Sequence, residues 1–225
     1  MLNFRVFEST DDLVSAAAEE VLWVVEHSSR AVVALSGGST PRPLYERLGG
    51  EYWERLSGRP VVWVTGDERC VPPDHDDSNA RMIRETLFRN GTPDKHHLLT
   101  FDTSAPDIAR RFEEAWRDLG IYEIDLAILG VGDDGHTASL FPGTAIMDIT
   151  DRVAAVVEVP RLAVRRVSIT IPHLRGARRK MILATGRGKR EMIERVGRGE
   201  SFPITEVIGA GGEAWWFVDR EAYPG

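Results

Sequence analysis

The chain has 225 residues, with 28 Lys and Arg against 35 Asp and Glu for a formal charge of −7; 42% of it is hydrophobic and 28% charged. This is ordinary globular usage in a chain long enough to bury a substantial core, which excludes disordered, collagen-like and fibrous classes. The acidic surplus is poorly suited to gripping a polyanion, so no nucleic acid partner is expected, although a few local cations can still hold a single phosphate.

In chain order, residues 3–7 read as a short strand, and Ser9 to Asp12 offer N-cap chemistry for an amphipathic helix to about His27. Residues 31–35, Ala-Val-Val-Ala-Leu, are uniformly apolar, as in a strand buried on both faces. They run into Ser36-Gly37-Gly38-Ser39-Thr40, after which Pro41 opens a helix. The pattern recurs with a strand at 61–64, a loop over 67–77, and a helix capped by Ser78 that reaches about Phe88. A helix over about 106–119 leads to a third buried strand at 124–129, which ends in Gly130-Val-Gly-Asp-Asp-Gly-His136. Further strands are expected at 152–159, 167–171, 181–185 and 215–218, with a helix over about 188–196. Strands alternating with helices predict an α/β fold, a mostly parallel sheet flanked by helices on both faces. No linker or repeat divides residues 1–225, so one domain is expected. In such sheets ligands sit beyond the carboxyl ends of the strands, so the loops after Leu35, Val64 and Leu129 should converge on one crevice.

The single cysteine, Cys70, permits neither an intramolecular disulfide nor a cysteine metal cage and favours a reducing compartment. No signal-peptide pattern opens the sequence, and no apolar run approaches the roughly 18 residues that cross a bilayer. A cytoplasmic location without a membrane partner is therefore expected.

The glycine loop at Gly37 and Gly38 can offer backbone N–H groups to an anion, with the Ser39 and Thr40 hydroxyls beside them. It lacks the spacing of a nucleoside triphosphate loop. Gly130-x-Gly132-x-x-Gly135 superficially matches a dinucleotide fingerprint, but Asp133 and Asp134 would place carboxylates in the pyrophosphate cradle, and that reading is rejected. His136, framed by glycine and carboxylates, is a candidate base, because imidazole is largely neutral near pH 7 and a carboxylate can fix its tautomer. Asp67 and Arg69 at the end of the second strand are further site candidates, and Cys70 suits packing. The run Asp74 to Asp77 reads as a solvated loop rather than a metal site. Ser39, Asp67 and His136 occur in the order of a hydrolase triad, but Gly37-Gly-Ser39-Thr-Pro41 lacks the second glycine of a nucleophile elbow.

Four segments together carry a family resemblance: Leu35-Ser-Gly-Gly-Ser-Thr-Pro41; Asp67-Glu-Arg69 with Val71-Pro72 and Ser78-Asn79; Gly132-Asp-Asp-Gly-His-Thr-Ala-Ser-Leu-Phe-Pro-Gly143; and Arg166-Val-Ser-Ile-Thr170 followed by Gly188-Lys189. In these the chain resembles the 6-phosphogluconolactonases, over nearly its whole length. The resemblance implies a Rossmann-like fold shared with the glucosamine-6-phosphate deaminases. It also implies hydrolysis of 6-phospho-D-glucono-1,5-lactone, a small sugar-phosphate partner, functional coupling to glucose-6-phosphate dehydrogenase, and no metal or organic cofactor. It assigns His136 as base, Asp134 as its orienter and Asp67 to sugar hydroxyls or water. Gly37 and Gly38 would meet either the oxyanion or the phosphate, and Arg166 and Lys189 the phosphate, supported by Arg69, Ser39 and Thr40. A deaminase would carry asparagine-glutamate-proline where this chain has Leu140-Phe141-Pro142. The other alternative is a sugar-phosphate-sensing regulator domain, which would need a partner module; in a stand-alone DNA-binding form that is a helix-turn-helix, which is not seen before Ala31. One departure, Thr65-Gly66 before Asp67, replaces a bulkier residue usual in relatives.

Overall fold

The computed structural model describes residues 2–159, 162, 164–209 and 213–225. Its first elements are β1 (Phe4–Phe7), α1 (Thr10–His27), β2 (Ala31–Leu35), α2 (Arg42–Leu48), α3 (Trp53–Ser57), β3 (Val61–Thr65), β4 (Asp67–Arg69), α4 (Asn79–Thr86) and β5 (His96–Leu99). There follow α5 (Ile108–Asp118), β6 (Leu126–Gly130), β7 (Ala154–Val157), β8 (Arg166–Ile169), α6 (Ile171–Arg175), β9 (Arg179–Ala184), α7 (Arg190–Gly197), α8 (Pro203–Ile208) and β10 (Glu213–Asp219).

Seven strands form a sheet in the order β1-β10-β9-β6-β2-β3-β5, and every pairing in it is parallel. β2 and β3 are buried at every position. With a side-chain period of two, Ala31, Val33 and Leu35 face the layer of α1 to α4, whereas Val32 and Ala34 face α5 and the later helices. Helices therefore cover both faces, as the uniform apolar runs predict. The chain winds outward from β2 to β3 and β5, then crosses back to β6 on the other side. The order reverses between β2 and β6, and at such a switch point the loops splay apart and leave a crevice.

The remaining strands form a separate antiparallel sheet, β4-β8-β7. The strands expected at 152–159 and 167–171 exist as β7 and β8 but join this small sheet, and the loop expected over 67–77 begins with β4. Gly66 is the joint between the sheets: its N–H donates to Leu35 O at 2.8 Å, and its carbonyl accepts from Ile169 N at 2.9 Å. A Cβ there would stand 3.3 Å from Leu35 O, a close contact that a shift of a few tenths of an ångström relieves. β5, α6 and α8 were not anticipated. β5 reads His-His-Leu-Leu, without apolar alternation, and the two helices are short, with Pro172 and Pro203 in their first turns. The helix expected from 188 begins instead with a 3-10 turn, Arg187–Lys189, ahead of α7.

Candidate active site

A cleft of about 270 Å³ opens at the carboxyl ends of β2 and β6. Gly37, Gly38, Ser39 and Thr40 line one wall, Gly132 and His136 another, and Asp67, Arg69, Asn79 and Lys189 the remainder. The three expected loops thus converge, and all the candidates line the cleft except Asp134 and Arg166.

The loop after β6 is a succession of tight turns, with Gly132 N donating to His136 O at 2.8 Å and Gly135 N to Gly132 O at 3.0 Å. Asp134 Oδ1 accepts from the His136 backbone N–H at 3.2 Å and lies 2.5 Å from Nδ1. A carboxylate on Nδ1 places the ring proton there and leaves Nε2 with a free lone pair. The imidazole folds back over Gly132, where a Cβ would stand 2.1 Å from the ring, so a side chain there would push the imidazole out of this position. Its other neighbour is the Phe141 ring, with centroids 4.4 Å apart. Ala138, one wall of the cleft, has φ of 48°. That left-handed conformation costs a non-glycine residue about 1 kcal/mol or more, and the strain sits at the site.

The second loop is held by buried polar contacts. The Asp67 carboxylate accepts from Ser139 Oγ at 2.6 Å and from Asn79 Nδ2 at 3.2 Å, while Ser139 N reaches Ser168 Oγ at 3.3 Å. Asp67 therefore ties the small sheet to the histidine loop. Because Asp67 bonds to Ser139 and Asn79 whereas His136 pairs with Asp134, the structure does not assemble the Ser39-Asp67-His136 triad.

Glu68, which sequence reasoning left without a role, is 1% exposed. Its carboxylate accepts from the backbone N–H groups of Arg69, Asn79 and Ala80 at 2.8, 2.8 and 2.7 Å, and from Ser78 Oγ at 3.2 Å. Burial pushes this carboxyl up, and the amide donors pull it back. Asn79 was likewise missed: it packs its amide against Gly37, where a Cβ would lie 1.8 Å from Oδ1. The Ser78 cap following a Glu was the available signal.

Three cations approach the cleft from different elements. Arg69 donates to Asp77 O at 2.6 Å, and Lys189, on the 3-10 turn, pairs with Asp133 at 2.6 Å. Arg166 lies directly across the antiparallel ladder from Arg69, is not among the residues that line the cleft, and its Nε is buried with no hydrogen-bond partner. Burial, then the facing Arg69 guanidinium, lowers its pKa from the ordinary arginine value. Two like charges opposite one another are a destabilising pairing that an anion would relieve. The Cys70 thiol is pushed up by burial and stays protonated, as a packing residue would. The backbone carbonyl of Asp74 and the carboxylate of Asp76 both accept from Arg81 Nη1, at 2.7 and 2.5 Å. Among the described residues no helix is long and apolar enough to cross a membrane.

The profile described as glucosamine-6-phosphate isomerases/6-phosphogluconolactonase matches residues 8–216. The chain belongs to this family. A 6-phosphogluconolactonase of Synechocystis is 32% identical over 88% of this chain and 85% of its own, and one of Rattus norvegicus is 30% identical over 96% and 91%. The solved three-dimensional structure of 6-phosphogluconolactonase from Trypanosoma brucei superposes with a TM-score of 0.84 at 28% identity, covering 99% of this chain and 97% of that one.

Proposed function

We propose that this chain hydrolyses 6-phospho-D-glucono-1,5-lactone to 6-phospho-D-gluconate, with a water activated by His136. The observation that carries the reading is the Asp134–His136 pair, 2.5 Å apart, on a cleft that Arg69 and Lys189 also line. In family relatives of that name the same lactone is the substrate, and the cleft's chemistry suits it.

With Nδ1 held by Asp134, Nε2 accepts a proton from water as its oxygen attacks C1 of the lactone. The carbonyl π pair moves to the carbonyl oxygen, where the N–H groups of Gly37 and Gly38 stand to receive the developing charge. Collapse restores the carbonyl and breaks the bond from C1 to the ring oxygen, which takes the proton from His136. The product is an open-chain acid with a new hydroxyl, and the imidazole is returned neutral. Such acid-base assistance supplies about 10² to 10⁴ in rate. Asp67 meets a sugar hydroxyl or the water, while Lys189, Arg69 and Arg166 provide the field for the 6-phosphate, with Ser39 and Thr40 beside it. No step requires a metal or organic cofactor.

The sister reaction, deamination of an aminosugar phosphate, needs a proton-moving group near the histidine loop; here the Phe141 ring lies 4.4 Å from His136. The δ-lactone is the product of oxidising C1 of glucose 6-phosphate, so the enzyme would follow glucose-6-phosphate dehydrogenase as the second step of the oxidative pentose phosphate pathway, in the cytoplasm. The test generates the lactone in situ with that dehydrogenase and follows its loss. Acceleration over the spontaneous rate, unchanged by a chelator, is expected. No acceleration would overturn the reading.

A further inference from the structure

Lys189 Nζ donates to Asp133 Oδ1 at 2.6 Å, between the 3-10 turn and the histidine loop. The partners are unequal: the Lys189 side chain is 26% exposed and lines the cleft, whereas that of Asp133 is 84% exposed and stands outside it. The pair is not what holds the loop. Backbone bonds from Gly132 to His136, from Gly135 to Gly132 and from Ile204 to Gly135 do that, at 2.8, 3.0 and 3.0 Å. Among the described residues the Asp133 carboxylate takes no other hydrogen bond. An exposed pair of this kind adds little to stability. Its consequence is electrostatic, because it places a negative charge on the cation that, among the described residues, lines the cleft from the turn after β9.

We propose that Asp133 is a built-in competitor for Lys189 that limits how tightly the site holds a phosphate-bearing ligand. This rests on the reading of Lys189 as a phosphate-binding residue. A phosphate monoester near pH 8 carries two charges and three acceptor oxygens, and it displaces a single solvated carboxylate from an ammonium group. Occupied by phosphate, Lys189 releases Asp133, whose charge then lies near the ligand and opposes it. The same repulsion weakens retention of the product, which has gained a carboxylate on ring opening.

The experiment titrates inorganic phosphate by calorimetry at pH 8 into the wild-type protein, Asp133→Asn, Lys189→Met and the double variant, and measures KM for the lactone in the first two. Asp133→Asn is expected to bind phosphate about three- to fivefold more tightly, the scale of an exposed ion pair, with KM lowered in parallel. The gain is expected to vanish when Lys189 is also replaced. Unchanged or weaker phosphate binding by Asp133→Asn, a gain that persists without Lys189, or no phosphate binding by either protein would overturn the proposal. If neither protein accelerates lactone loss, the hydrolase reading fails, and the phosphate titration still decides the role of Asp133.

Discussion

The two sheets serve the cleft in different ways. The seven-stranded parallel sheet delivers its share through backbone: β2 and β6 end at the switch point, and the loops that follow present glycine N–H groups and one imidazole. The three-stranded antiparallel sheet delivers charge, with Asp67, Glu68, Arg69 and Arg166 on two paired strands, all buried or half-buried. Apolar packing alone can build the first. The second holds only because nearly every buried polar atom has a partner, the exception among its described residues being Arg166 Nε. Replacing groups in each sheet separates what makes the reaction go from what holds the substrate.

The largest effect is expected from the parallel sheet's loop. His136→Ala should lower turnover at least about 100-fold in the coupled lactone assay, the lower bound of acid-base assistance. The side chain is 31% exposed and its bonds are confined to its own loop, so the melting temperature should hardly move. Near-normal turnover would remove it as the base and leave the large sheet a mere scaffold.

Glu68→Gln probes the small sheet. An amide in place of the carboxylate turns one acceptor into a donor facing other donors, in a site where four donors now converge. Leaving such groups unmet costs about 1 to 3 kcal/mol, so the melting temperature should fall by several degrees. Because Arg69 and Asn79 are anchored by the same carboxylate, KM should rise more than kcat falls. A lowered melting temperature with unchanged KM would show that this network supports the fold alone and has no part in placing the charges.

The same contrast explains what the sequence disclosed. The apolar runs at 31–35 and 61–64 can bury both faces only inside a parallel sheet, and the glycine loops must then lie at its carboxyl edge; both are found there. His136 and Asp134, two residues apart, were legible as a pair for the same local reason. β4 was not legible, because Asp-Glu-Arg carries no apolar period and is a strand only through pairing with β8, about a hundred residues away. The positions of Asn79, Ser139 and Ser168 follow from that long-range pairing as well. The motifs contain these residues, but nothing local says that Asp67 is what they share.

The smallest effect, confined to the parallel sheet's edge, sharpens the comparison from the other side. His96, on β5, is buried, with Trp63 Nε1 donating to Nδ1 at 3.2 Å and Nε2 lying 3.2 Å from Leu56 O. The indole can only donate, so Nδ1 must be the bare nitrogen and Nε2 carries the proton. A second proton would set two donors against each other in the core, and burial already pushes the pKa below its ordinary value. The unfolded chain, with a histidine pKa near 6.5, therefore binds a proton below that pH that the folded chain refuses. Stability from this group is complete above about pH 6.5 and falls as pH drops, by at most about 1.4 kcal/mol per unit. His173, also lowered by burial, acts in the same direction. Urea midpoints at pH 7.5 and 5.5 should show this loss in the wild-type protein and a smaller one in His96→Gln, with KM at pH 7.5 the same in both. Equal losses would mean that the imidazole gains its proton without leaving the core, and a change in KM would mean that the parallel sheet's edge reaches the cleft after all.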